Sequence, residues 1–238
     1  MKNLFLIFVM ICSFAFSQTK NIIKDIDGNI YKTVVIGDQE WLAENLKTTK
    51  FNDGIPIPNI TNDKEWKSIN KPAWCYYEND QNFNQKYGKL YNWYSVDISS
   101  NGRKNICPIG WHVPSYREWQ KLIDFYGHVK GLGEESDGLH KKPGWEERYL
   151  QSILNGKRIV DKIYNSGFNC LKGGLRNSLE GEFGYLDKFG LWWSTADTYS
   201  CSISSDYSSI FGGDLLDIKS SDKSYGYFIR CLKDEMDK

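Results

Sequence analysis

From residue 22 to residue 38, short runs of apolar and β-branched residues are separated by turn residues. Two β-branched runs lie on either side of Asp27–Asn29, and Gly37-Asp38 follows the second run. Short runs bounded by turn residues predict a strand, a tight turn, a second strand and a further turn. This region is therefore expected to contribute antiparallel strands to the fold.

The clearest helical pattern lies near the middle of the chain. Ser115 and Glu118 have the spacing of a capping box, in which each side chain can bond the other residue's exposed backbone N–H group. Apolar residues then recur at i, i+3, i+4 and i+7 from Trp119 to Tyr126, and Gly127 supplies a stop. The pattern predicts one amphipathic helix whose aromatic stripe, including Trp119, faces the core.

The rest of the chain has weaker patterns. A second helix is predicted over 145–156, where Gly156 would end it, and short strands and turns are predicted from Asn165 onward. Residues 50–89 contain three prolines and predict irregular chain. The aromatic-rich stretch 87–96 is expected to fill the core, because its apolar neighbours also need burial.

The first residues predict export. An apolar run from Leu4 to Phe16 has the length of a signal-peptide core and is too short to span a membrane. Small residues around Ser17 place the cleavage there, so residues 1–17 are the signal peptide and 18–238 the mature chain. Ile11 precedes Cys12 where a lipoprotein signal needs a small residue, so lipidation is not favoured.

Composition narrows the classes of partner. The chain has 238 residues, 30 basic and 30 acidic side chains and no basic block, so it offers no electrostatic footprint for nucleic acid or anionic lipid. No linker divides residues 18–238, which are expected to form a single domain. After the signal peptide no further membrane span is expected. The sequence does not determine the oligomeric state.

No pattern of metal ligands or cofactor-binding residues emerges. The segment 25–36 resembles a calcium loop, but its glycine is the fourth residue rather than the sixth, so a turn is the preferred interpretation. The five mature cysteines lie too far apart for a zinc or thioredoxin-like motif, and disulfides are the expected use of exported cysteines. His112 has no ligand at metal spacing and is interpreted as a structural hydrogen-bonding residue.

An ordered set of motifs resembles one family. The motifs are DIDGNIYKTVVIGDQEWLAENLKTTKFNDG (25–54), YGKLYNWYSV (87–96), CPIGWHVPSYREW (107–119), SGFNCLKGGLRN (166–177), GLWWST (190–195) and GYFIRCLKD (226–234). Together they resemble the successive signatures of the Fibrobacter succinogenes major paralogous domain family over roughly 24–234. Lys172 departs from the family pattern, in which a proline is expected before the paired glycines.

The resemblance implies an exported or surface-displayed bacterial protein without an established activity. It also implies an α+β, C-type-lectin-like fold, in which two helices pack on a small twisted antiparallel sheet with long irregular loops. Folds of this class bring the terminal strand back to the early helical region, which implies a Cys107–Cys231 disulfide. A second bridge from Cys170 to Cys201 is an alternative that would leave Cys75 unpaired.

Three functions remain open. The first is a non-catalytic module that binds glycan or a surface protein, with one ring of Trp192-Trp193 exposed as a platform and with Trp145, Tyr185 and Arg176 as neighbours. The alternative for the tryptophan pair is that both rings are packed scaffold. The second function is a structural envelope protein. The third is an enzyme related to formylglycine-generating oxidoreductases, although their chemistry needs two neighbouring cysteines and no hydrolase motif occurs.

Overall fold

The computed structural model of the chain describes residues 22–127, 157–195, 199–204 and 216–235. These residues form an α+β fold of short helices and small antiparallel sheets. The predicted signal peptide, Trp145 and the helix predicted over 145–156 lie outside the described residues. No helix within the described part of the chain has the length and apolarity needed to cross a membrane.

The elements follow one another in short segments. The strands are β1 (Ile23–Lys24), β2 (Ile30–Tyr31), β3 (Thr33–Ile36), β4 (Gln39–Leu42), β5 (Trp74–Cys75), β6 (Leu90–Tyr91), β7 (Trp111–His112), β8 (Gly173–Arg176), β9 (Phe183–Leu186), β10 (Phe189–Trp193), β11 (Tyr199–Ser204), β12 (Leu216–Ser220) and β13 (Leu232–Lys233). The helices are α1 (Asp63–Ser68), α2 (Asn82–Tyr87), α3 (Tyr116–Tyr126) and α4 (residues 157–163).

The predicted strands of the first region are confirmed. β1 pairs with β2 around the Asp27–Asn29 turn, and β3 pairs with β4 across Gly37. β3 and β4 then join a four-stranded sheet in the order β3-β4-β13-β7. Because β13 lies between β4 and β7, the last strand of the described chain is paired with elements from its first half.

The turn interpretation of the β1–β2 region is also confirmed. The Asp25 carboxylate accepts hydrogen bonds from the backbone N–H groups of Asp27 (3.0 Å) and Asn29 (2.9 Å) and from the Tyr31 hydroxyl (2.6 Å). An aspartate that bonds the backbone two residues ahead stabilises a turn locally. The oxygens that a calcium loop would offer to the ion are therefore used to hold the hairpin.

Helix α3 begins and ends where the sequence predicts. The Ser115 backbone donates to the Glu118 carboxylate (2.7 Å), the Glu118 backbone donates to Ser115 Oγ (3.4 Å), and Gly127 follows the last turn. Trp119, Leu122 and Ile123 are buried on one face. The capping box and the apolar stripe are local features, so the sequence alone was sufficient to place this helix.

One expectation about helices was wrong. Residues 50–89 contain α1 and α2, each of six residues, which are too short to produce a recognisable periodicity. Residues 157–163 form α4, which the sequence pattern did not predict and which leads into a π-helical turn at Tyr164–Phe168. Its Ile159 and Ile163 side chains are buried.

The segment Gly226–Phe228 connects three of the sheets. Its residues form backbone bridges with Tyr91 of β6, Arg176 of β8 and Trp192 of β10. The aromatic stretch 87–96 lies beside this segment, and its Tyr87, Leu90, Tyr91, Trp93 and Val96 side chains are buried, as predicted. The C-terminal motif therefore organises the centre of the molecule rather than its edge.

Candidate functional site

The structure corrects the idea that one tryptophan of the 192–193 pair is an exposed platform. Both rings are fully buried. Trp192 Nε1 donates to Asn45 Oδ1 (2.8 Å), while Trp193 Nε1 donates to the Tyr91 carbonyl (2.7 Å) and its ring packs 4.4 Å from that of Tyr227. Consecutive side chains of β10 point to opposite faces, and each face is covered by its own hydrophobic cluster.

Arg176 is also scaffold. Its guanidinium is fully buried, donates to the carbonyl groups of Ile60 (2.7 Å) and Gly181 (2.7 Å), and forms an ion pair with Asp63 (2.7 Å). The ring of Trp66 lies 4.6 Å from the guanidinium carbon. A fully paired, fully buried arginine cannot bind a surface ligand, so its assignment as a ligand-binding residue was wrong.

Tyr185 is the one described residue of that predicted set with exposed surface. It is half-buried, packs edge-on against Phe189 with ring centroids 5.4 Å apart, and has a φ of 62°, which is unusual for an aromatic residue. The structure therefore does not unite Trp192, Trp193 and Arg176 with Tyr185 in an open aromatic patch.

His112 has the structural role that the sequence predicts. Its Nε2 lies 2.9 Å from Glu118 and its Nδ1 lies 2.7 Å from Asp234, so the ring joins the first turn of α3 to the end of β13. The hydrogen bond to Glu118 raises the pKa of His112, against the effect of burial. Burial alone would raise the pKa of Glu118, but hydrogen bonds from His112 and Ser115 lower it to about 2.

We expect His112 to stabilise the fold more at pH 6 than at pH 8.5. Its pKa is raised in the folded state, so its contribution is complete below the unfolded pKa of about 6.5 and is lost as the pH rises through the folded pKa. Denaturant titrations of wild type and His112→Gln should differ by about 0.5–1 kcal/mol at pH 6, the range of a partly exposed ion pair. An equal difference at both pH values would contradict this linkage.

The most unusual surface residue is Ile109. It occupies the second position of a tight turn in which the Trp111 N–H group donates to the Pro108 carbonyl (3.0 Å) and Gly110 has a φ of 80°. A positive φ at the third position defines a type II turn and favours glycine there. Ile109 is 85% exposed at the tip of this turn, the highest exposure among the large hydrophobic residues that the structure describes.

The turn that carries Ile109 is firmly held. The Cys107–Cys231 disulfide that the resemblance implies is present immediately before it, with the Cα atoms 5.9 Å apart. Asn105 Nδ2 donates to the Trp111 carbonyl (2.6 Å), and the Asp234 N–H group donates to the Gly110 carbonyl (3.0 Å). Cys75 and Cys170 keep free thiols, so the possible second bridge from Cys170 is not formed.

Ile109 forms one wall of a pocket that we call the β1 pocket. The pocket has a volume of about 260 Å³ and is lined by Ile22, Ile23, Lys24, Asp25, Ile26, Asn52, Pro108, Ile109 and Trp111. Ile22 and Ile26 are 65% and 49% exposed, so three isoleucines surround the opening. The Asp25 carboxylate fixes the opposite wall through the hairpin bonds described above. Hydrogen bonds hold both walls, and the disulfide adds to those of the Ile109 turn.

The described residues carry few reactive groups. Burial raises the pKa of the Cys75 thiol to about 12 and also raises that of Cys170, which makes both poor nucleophiles. Within the described ranges, no group of three or more His, Cys, Asp or Glu side chains is placed to hold a metal ion. In the β1 pocket, the Asp25 carboxylate is engaged by its hairpin hydrogen bonds, so the lining offers mainly apolar contact together with the Lys24 ammonium group.

Sequence reasoning missed this site. The sequence shows isoleucines in a β-branched run and in a Pro-Ile-Gly turn, but both patterns also occur in buried structure. The exposed position of Ile109 in the Pro108–Trp111 turn was the available signal, because the central positions of a tight turn face solvent. That the turn lies beside β1, 84 residues earlier in the sequence, depended on tertiary contacts.

Comparison with known proteins adds one result. No curated protein and no solved structure matches the chain. The model of the Fibrobacter succinogenes major domain matches residues 34–233, which include nearly all of the described strands and helices and the disulfide. The chain therefore belongs to the Fibrobacter succinogenes major domain family.

Proposed function

We propose that this protein is an exported, non-catalytic binding module whose ligand is a segment of another protein. The observation that carries the proposal is Ile109, an aliphatic side chain that is 85% exposed on a turn fixed by a disulfide. A rigid, exposed apolar anchor loses little conformational entropy when it is buried by a partner. Grouped exposed isoleucines at a concave surface are a common mark of a protein-binding site.

A protein ligand is favoured over a glycan. Sugar-binding surfaces use exposed aromatic rings, but the eight described tryptophans are all buried, and the exposed rings of Tyr116, Phe125 and Tyr164 do not line the β1 pocket. The β1 pocket presents aliphatic side chains, and its 260 Å³ lies below the range of about 300–1,000 Å³ typical of sites that enclose a small molecule. A pocket of this size suits one or two aliphatic side chains of a larger partner.

We also propose that the α+β fold is C-type-lectin-like, as the resemblance implies. Support comes from β13, which is paired between β4 and β7, and from the disulfide that fastens the same region. Superposition of a crystal structure of the mature chain on C-type-lectin-like domains would test the assignment, and a different strand order in the central sheet would contradict it.

Export is the part of the proposal that rests on the sequence. Expression of residues 1–238 in a bacterial host that processes signal peptides should give a periplasmic or secreted product beginning at Gln18. Intact mass and N-terminal sequencing of the fractionated product are the measurements. Retention of the run from Leu4 to Phe16, or a lipid on Cys12, would contradict it.

The binding role can be tested without knowledge of the natural partner. The mature, oxidised protein is used to select from a displayed library of random peptides and, in parallel, is applied to a glycan array. We expect selected peptides to lose at least about tenfold in affinity for Ile109→Asp, because burial of one isoleucine is worth about 1.5–3 kcal/mol.

A matched variant controls for nonspecific loss of an exposed aliphatic side chain. Leu179 is 73% exposed and does not line the β1 pocket, so Leu179→Asp should leave the affinity of the selected peptides unchanged. Peptides that bind Ile109→Asp as well as wild type, or glycan binding alone, would contradict the proposal. Selection of neither class would instead favour a structural envelope role.

A further inference from the structure

The β1 strand has one edge that no described strand covers. β1 pairs only with β2, in a register that places Ile23 opposite Tyr31 and Lys24 opposite Ile30. The Asp25 N–H group donates to the Asn29 carbonyl and the Asp25 carbonyl accepts from the Gly28 N–H group, so the backbone groups of Asp25 point toward β2. Ile23, two residues earlier and opposite Tyr31, points its backbone groups the same way. In an antiparallel ladder the intervening residue points its backbone groups outward. The N–H and C=O groups of Lys24 therefore face away from β2.

The β1 pocket adjoins this strand. Its lining includes residues 22–26, which comprise β1 and the chain on either side of it, and Pro108, Ile109 and Trp111 of the turn. The pocket therefore lies between β1 and the Pro108–Trp111 turn. An extended chain that paired with the outward-facing Lys24 backbone groups would lie next to it.

The two faces of β1 determine which side chains an added strand should carry. Lys24 lies on the exposed face with Ile30, whereas Ile23 lies on the face with buried Tyr31. A residue paired with Lys24 would share its exposed face, where a carboxylate can pair with the ammonium group. The residues before and after it would point to the face of Ile23. Aliphatic side chains fit there, because Trp111 and Ile109 also line the pocket.

We propose that the β1 edge accepts an extended segment of a partner protein as an additional antiparallel strand, with a carboxylate opposite Lys24 and aliphatic residues on either side of it. This inference rests on the proposed function and names the form of its ligand. Strand addition obtains affinity from main-chain hydrogen bonds and specificity from pockets for alternate side chains. The outward-facing Lys24 backbone groups and the β1 pocket are the corresponding features here.

A second copy of this chain is a poorer occupant. Two-fold antiparallel pairing of β1 with itself, centred on the outward-facing Lys24, would place the two Lys24 ammonium groups directly opposite each other. Like charges in that position are destabilising, and an edge lysine is a common means of preventing self-pairing. Charge complementarity therefore favours an acidic partner strand.

The test uses the mature protein and a capped five-residue probe of sequence threonine-valine-glutamate-valine-threonine, titrated by NMR. We expect shifts confined to 22–26 and 108–111 and slower exchange of the Lys24 amide. Lys24→Pro removes the outward N–H group and should weaken binding about tenfold or more, the effect of one lost hydrogen bond. Lys24→Ala keeps that N–H group and should weaken binding only about threefold.

Two further variants and a modified probe sharpen the test. Lys24→Glu should reverse the preference, so that a probe with lysine in place of glutamate binds better. Ile23→Pro removes an N–H group used within the hairpin and should lower the melting temperature, whereas Lys24→Pro should melt like wild type. If Lys24→Pro fails to fold, wild type is titrated with a probe that is N-methylated at its glutamate. This probe lacks the N–H group that would donate to the Lys24 carbonyl, so it should not bind.

The outcomes separate this inference from the proposed function. Binding that is lost with Ile109→Asp but is equal for Lys24→Pro and Lys24→Ala would overturn strand addition and leave the apolar pocket as the binding site. Failure of the wild type to bind the probe at 5 mM would also overturn strand addition, while the displayed library independently decides the proposed function. If the protein dimerises at high concentration and the Lys24 amide is then protected from exchange, a second copy of the chain is the occupant of the edge. That result would overturn the proposal of a partner protein.

Discussion

Replacing Trp119 with alanine is expected to lower the free energy of unfolding by about 3–5 kcal/mol, the range found for truncation of large buried aromatic residues. Trp119 is fully buried at the centre of an aromatic cluster. Its ring lies 4.9 Å from that of Trp41, 6.0 Å from that of Phe168 and 6.1 Å from that of Trp192. Alanine would leave a cavity that these rigid rings cannot fill by small movements.

The measurement is chemical denaturation followed by fluorescence and circular dichroism, with a matched aromatic control on the same helix. Phe125 lies on the exposed side of α3, so Phe125→Ala should change the stability by less than about 1 kcal/mol. Equal losses for Trp119→Ala and Phe125→Ala would show that the aromatic cluster does not dominate the packing of α3.

Removing the Cys107–Cys231 disulfide is expected to cost about 4–5 kcal/mol. The bridged residues are 124 positions apart, and the chain-entropy model gives a cost of this size for a closed loop of that length. The bridge connects the residue before the Ile109 turn to the segment that leads into β13. Its loss should therefore weaken peptide binding at the β1 pocket as well as global stability.

The double variant Cys107→Ser/Cys231→Ser would be compared with wild type in denaturant titrations. Cys75→Ala provides the control for loss of a buried sulfur, since Cys75 is buried and keeps a free thiol. We expect reductant to destabilise wild type and Cys75→Ala, but to leave the double variant unchanged. A double variant as stable as Cys75→Ala would show that the bridge contributes little.

Sequence patterns do not predict which charged residues are buried, and Arg230 is an example. Arg230 is fully buried and donates to the carbonyl groups of Leu42, Phe168 and Asn169 and to the Asn45 side chain. Burial lowers its pKa to about 9. Nothing in the sequence distinguishes this arginine from a surface one, because its acceptors come from segments about 60 and 185 residues away.

Lys89 is a second buried charge of this kind. Its ammonium group donates to the Lys47 carbonyl and to Asn84, and it lies 5.0 Å from the centre of the Trp74 ring. Burial lowers its pKa to about 8. Lysine is among the residues least often buried, so sequence reasoning would place it on the surface.

The sequence by itself determined the features that depend on neighbouring residues. Helix α3 followed from the capping box of Ser115 and Glu118 and from the apolar stripe, and the β1–β2 hairpin followed from its turn residues. The ordered motifs also identified the family, and with it the disulfide. Hydrogen bonds within a few residues and side-chain periodicity produce these features, so no distant contact is needed to predict them.

Tertiary structure alone decided which surfaces are open. The exposure of Trp192 and Trp193 depended on how many faces of β10 are covered. Both faces are covered, because Gly226–Phe228 and α3 bring separate hydrophobic clusters to the two sides of the strand. The β1 pocket arose because the Ile109 turn, which the disulfide and β13 hold, lies beside β1. Burial is a property of contacts between distant segments, and the local pattern of a sequence does not contain them.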